Sequence, residues 1–181
     1  TQKVIHQAMA QEISRNMKNL HLEGMKDPFY IGLNVVDLNI FSLQSSLGAL
    51  VRLNELPNRI ACNNQVLVGD YNNNNLNYSD PKASSYFMRT FGMLPLDNSA
   101  KEIQRRLWTY FDRAYKLSAE IYESKQSALK SKTQDEDIVG LPDFIAGEKT
   151  FVEIPEISIK FDNQKLIQYS NDISAAFKSY K

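Results

Sequence analysis

The sequence predicts an α+β domain: an antiparallel sheet over residues about 29–70, covered by long amphipathic helices. Three observations predict it. Apolar residues recur at helical spacing near both ends and through the middle of the chain. They alternate with polar residues between 29 and 70. The alternating stretches follow one another through short connections. Antiparallel strands need only such connections, and one-sided alternation implies one covered face and one wet face.

Ile5, Met9, Ile13, Met17 and Leu20 trace one face of a helix over residues 2–22. Gly24 is a plausible stop and Pro28 forbids continuation. Phe29, Ile31, Leu33 and Val35 then alternate with Tyr30, Gly32, Asn34 and Val36 as a first strand. Further strand pieces are expected at 39–44 and 47–53, with a turn at Glu55-Leu56-Pro57-Asn58. A long strand resumes at Arg59 and ends at Gly69-Asp70.

Asn72–Asn75 open an excursion to residue 98 in which no hydrophobic period survives, with some order expected around Tyr86-Phe87-Met88 and Phe91. Long loops inside compact domains are often mobile or functional. Ser99-Ala100-Lys101-Glu102 has the form of a capping box, in which hydroxyl and carboxylate each satisfy an orphan amide. A helix to about Lys130 follows, with Ile103, Leu107, Tyr110, Ala114, Leu117 and Ile121 on its stripe. Trp108, Phe111, Tyr115 and Tyr122 lie beside that stripe, so cover is expected on more than one side. Residues 131–150 read as a charged, irregular linker inside a single domain of residues 1–181. Phe151–Ile154 and Ile157–Ile159 read as short extended pieces. Asp162 caps a last helix carrying Leu166, Tyr169, Ile173, Phe177 and Tyr180.

Composition narrows the function. Lys+Arg and Asp+Glu both number 21 in 181 residues, so the chain lacks the cationic surplus that displaces counterions from nucleic acid. Two histidines and one cysteine exclude a Cys/His zinc site and an internal disulfide. His6 and His21 stand ~22 Å apart on a helix, too far to share a metal. No apolar run reaches the length of a membrane helix. The glycines are isolated, so no phosphate cradle is present. Cys62 reads as a small strand residue with no base beside it. Asp70 reads as turn chemistry, and Asp135-Glu136-Asp137 as a solvated run. Catalytic and metal-ligating residues are therefore not assigned. Asp70, Tyr71, Trp108 and Tyr115 are the candidates for a peptide-binding or interface surface.

Leu94-Pro95-Leu96-Asp97, Arg105-Arg106-Leu107-Trp108 and Thr109-Tyr110-Phe111-Asp112-Arg113-Ala114-Tyr115-Lys116 resemble the N-terminal region of the TldD/PmbA family. This is the family of putative modulators of DNA gyrase, related to metallopeptidases, and the likeness is to its exported bacterial branch. Other strings agree in order. They are Pro28-Phe29-Tyr30-Ile31, Ser46–Leu50, Gln65-Val66-Leu67-Val68-Gly69-Asp70-Tyr71, and Pro142-Asp143-Phe144 before Phe151-Val152-Glu153. The resemblance implies a non-catalytic N-terminal α+β domain that helps to wall a peptide chamber. The zinc motif His-Glu-x-x-x-His of the family lies beyond the region matched, so this chain is expected to hold no cofactor, with zinc in a longer parent. The implied partners are a C-terminal domain of the same protein, a homo- or heterodimer partner, and unfolded peptide. An exported or periplasmic bacterial location is favoured over a cytoplasmic one. The alternative is a stand-alone protein- or peptide-binding module without enzymatic activity.

Overall fold

The computed structural model describes residues 2–78, 90–97, 99–131, 141–148 and 160–179. The order expected at Tyr86–Met88, the Asp135–Asp137 run, most of the 131–150 linker, the extended pieces within 151–159 and Tyr180 lie outside those residues. Along the chain come α1 (Gln2–Asn19), β1 (Pro28–Ser46), β2 (Ala49–Val68), β3 (Phe91–Leu94), α2 (Ala100–Ser131) and α3 (Asn163–Ala175). A 3-10 turn, Ala176–Ser179, ends the series. The described strands form one sheet in the order β1-β2-β3. β3 runs antiparallel to β2, with Ile60 opposite Leu94 and Asn63 opposite Phe91. The α+β class and the antiparallel sheet are those expected.

The strand boundaries differ from expectation. Instead of several short strands with a turn at 55–58, the chain makes one long hairpin. Its turn is Leu47-Gly48, whose φ values are 48° and 79°. Two positive φ values make a type I′ connection, whose twist matches that of the flanking strands. Pro57 sits inside β2. It lies outside the stretch 60–63 that β3 pairs, where a strand tolerates a residue without an N–H.

The chain divides into two compact units. Unit 1 is Thr1–Asp37 with Ile60–Gly147, and unit 2 is Leu38–Arg59 with Glu148–Lys181. The hydrophobic core belongs to unit 1. Ile5 and Ala8 from α1, and Leu20 just after it, meet Ile31, Ile60, Val66 and Val68 from the sheet, and Leu107, Phe111 and Tyr115 from α2. Full burial of an aliphatic or phenyl side chain is worth about 1.5–3 kcal/mol, so this cluster is the main store of stability. In its middle, α2 buries Ala114, Tyr115, Leu117, Ser118, Ala119, Ile121 and Tyr122, an arc wider than one stripe. The off-stripe aromatics announce that cover, except for Trp108, which stays exposed.

Helix entry is only half the expected capping box. Ser99 Oγ accepts from Glu102 N at 3.4 Å, but the Glu102 carboxylate pairs with Arg105. The Ser99 amide donates instead to Asp97 Oδ1 at 3.1 Å. At α3, Asp162 Oδ1 accepts from Gln164 N and Lys165 N at 3.0 and 3.2 Å, the cap the sequence predicts.

Candidate functional site

The asparagine run is a folded knot, not a loose excursion. Asp70 Oδ1 accepts from the amides of Asn72 and Asn73 at 2.8 and 3.0 Å, the side-chain turn that Asp favours. Asn74 Nδ2 donates back to Asp70 O at 2.9 Å. Asn75 Oδ1 accepts from Val68 N at 2.8 Å, ending the strand on a side chain. Asn73 and Gln126 exchange two amide bonds of 3.1 Å, tying the knot to α2. Gly69 holds φ at 112°, and a Cβ there would collide with Asn73 O. Only glycine fits that approach.

Lys125 stands under the knot, 7% exposed. Its Nζ donates to Asn74 O at 3.0 Å and Leu76 O at 2.9 Å, and it pairs with Asp143 Oδ2. The three acceptors match the three donors of an ammonium group. Asp143 Oδ2 also accepts from Asn74 N at 2.8 Å. The backbone joins in: Asp143 N donates to Asn72 O and Phe144 N to Tyr71 O, at 3.2 and 3.0 Å. A lysine and a carboxylate so saturated are positioned to hold a loop, not to move a proton.

This framework presents four aromatic rings. Phe29 and Tyr71 meet edge to face at 5.1 Å between centroids, and Tyr71 stacks on Phe144 at 5.8 Å. Tyr30 lies 5.2 Å from Phe144. Tyr71 remains 44% exposed, so the cluster has an accessible face. A separate groove of about 310 Å³ runs between Gly24–Lys26 and Tyr122, Glu123, Gln126 and Lys130 of α2.

The candidates from sequence therefore divide. Asp70 and Tyr71 share the knot. Trp108, 46% exposed, lies 17 positions before Lys125 on α2, roughly 25 Å away along the helix. It borders a groove of about 290 Å³ between α1 and α2, with Glu12, Arg15, Lys101, Gln104 and Arg105. Tyr115 offers no surface at all, being 1% exposed. Its hydroxyl accepts from Leu22 N at 3.1 Å and donates to Lys26 O at 3.0 Å, fixing the segment after α1. Burial raises its pKa above the usual tyrosine value.

Cys62 is buried, and burial pushes its thiol up to about 12, opposite to the activation a nucleophile needs. His21 Nδ1 lies 2.8 Å from Asp27 Oδ1 at an exposed site. Among the described residues no three of His, Cys, Asp and Glu are grouped to hold a metal ion. No helix of the described residues is long and apolar enough to cross a membrane. Sequence reading missed Lys125, Asp143 and Phe144 as members of one site. No local period marks them, because Lys125, Asp143 and the ring of Phe144 are brought to the knot only by contacts between distant segments.

Comparison of the chain with protein-family models, with curated proteins and with solved structures finds no match.

Proposed function

We propose that the chain is a non-catalytic N-terminal domain of a TldD/PmbA-like, metallopeptidase-related protein, which contributes to assembly and to the wall of a peptide chamber. One observation carries the reading. Three strings on which the resemblance rests, Phe29-Tyr30, Asp70-Tyr71 and Asp143-Phe144, lie far apart in sequence and form one aromatic cluster. A partly exposed cluster of rings on a rigid base suits an extended, unfolded peptide, because stacking and apolar contact demand no particular sequence. The saturated Lys125–Asp143 pair supplies the rigidity.

The test is binding without cleavage. A fluorescent, chemically unfolded peptide pool should bind the isolated chain, and exchanging Tyr71 and Phe144 for alanine should weaken binding about tenfold, the loss of two aromatic contacts. Added zinc should produce no cleavage. Zinc-dependent cleavage by this chain alone would end the proposal, as would binding indifferent to both aromatic substitutions.

A further inference from the structure

Helix α3 sets Ser170, Asn171 and Ser174 against the hairpin tip, with Ile167 and Ala175 half-buried on the same face. Asn171 Oδ1 accepts from Ser45 Oγ at 2.7 Å, Ser170 Oγ donates to Ser45 Oγ at 2.9 Å, and Ser174 Oγ accepts from Gly48 N at 2.8 Å. The hairpin tip thus holds the helix by hydroxyl and amide bonds. Leu166, Tyr169 and Ile173 are spaced three and four residues apart, and they are 36%, 60% and 70% exposed. In heptad terms they occupy a, d and a, the seam positions of a helix pair. Lys165 and Asp172 then both occupy g, on the flank away from Ser170 and Ser174. Neither makes an ion pair with any described residue.

We infer that α3 is a self-association surface, pairing antiparallel with α3 of a second copy of this chain. The charges choose the partner and its direction. In an antiparallel pair, g positions face g positions, so Lys165 of each copy meets Asp172 of the other, twice by symmetry. In a parallel pair, g faces the e position five residues on, so Lys165 and Asp172 would face Ser170 and Phe177, which give the charges nothing to meet. The antiparallel register also sets Leu166 of one copy against Tyr169 of the other. A helix of 13 residues spans about 20 Å and covers less than the ~800 Å² per partner of a standard interface, so association is expected at micromolar concentrations and above.

The inference deepens the assembly part of the proposed function by naming a partner, and it rests on that reading only there. Peptide binding is read on unit 1 and self-association on α3, so the two fail separately. Sedimentation velocity of the chain over a concentration series should show a species at twice the monomer's 20.7 kDa. Lys165→Asp and Asp172→Lys should each weaken it about tenfold, because two attractive pairs become repulsive. The double exchange restores both pairs and should return the affinity to within about threefold of the parent. Circular dichroism checks that each variant, altered only at exposed positions, keeps its helix. A monomer at all concentrations up to about 1 mM overturns the inference. So does a dimer insensitive to the single reversals, or one not rescued by the double exchange.

Discussion

Every fully buried side chain among the described residues belongs to unit 1, and α3 of unit 2 buries none. The two units draw on similar residue types. Unit 2 carries Ile40, Leu50, Val51, Leu53 and Leu56 on its hairpin and leaves all five exposed. The difference lies in architecture. Unit 1 lays two helices on a sheet and encloses a volume. A hairpin with one helix held by serine and asparagine bonds encloses almost none, and an isolated two-stranded hairpin is marginal on its own. The contrast teaches that apolar content does not make a core; layers that close on one another do.

The largest effects should come from unit 1. Phe111→Ala leaves a cavity in the middle of the core and should cost about 3–5 kcal/mol in urea unfolding. Lys125→Met should cost a similar ~3–5 kcal/mol, because the Asp143 carboxylate then lacks its counter-charge and two carbonyls lose their donor. Its double variant with Asp143→Leu should recover part of that loss. A loss below ~1 kcal/mol from Lys125→Met would show that the knot does not depend on the pair.

A pH titration sharpens the comparison further, since Cys62 lies in unit 1. Its thiol is raised from 9.0 to about 12 in the folded state, chiefly by burial. The unfolded chain therefore loses this proton first. The associated stability is complete below about pH 9 and declines as pH rises towards about 12, by at most about 1.4 kcal/mol per pH unit. Cys62→Ala should flatten that slope in unfolding measurements across about pH 8–10.5. Part of the slope should remain, because burial also raises Tyr115 and Tyr122.

In unit 2 the expected effects are small. Leu47 adopts a positive φ of 48° in a turn that favours asparagine. Leu47→Asn should stabilise the chain by about 0.5–1 kcal/mol, read as a higher midpoint of thermal unfolding. Ile173→Ala, measured where the chain is monomeric, should change stability by less than about 0.5 kcal/mol. A loss above ~2 kcal/mol at Ile173 would place a core where the comparison has none.

Much of the fold was legible because helical and strand periods are local. The stripe from Ile103 to Ile121, the Asp162 cap and the alternation from Phe29 to Val35 all follow from neighbours along the chain. The turn at 55–58 misled because Pro57 is a strong local signal, which long strand pairing overrode. The 71–77 segment read as irregular because its hydrogen bonds run through side chains and to residues as distant as Gln126 and Asp143. Of the candidate site residues, Asp70 and Tyr71 were adjacent and easily grouped. Tyr115 was misplaced because a helix period does not say how wide an arc the surrounding layers will cover.

The sequence by itself determined the class of structure, the helix faces and the absence of a cationic surplus or a Cys/His zinc set. These depend on spacing and composition, which the chain carries locally. Only the tertiary structure decided that Lys125 sits saturated beneath an asparagine knot and that three rings gather around Phe144. It alone turned the apolar edge of α3 outward. Those outcomes depend on which segments meet, and contacts between segments a hundred residues apart are set by the closing of layers, not by any local pattern.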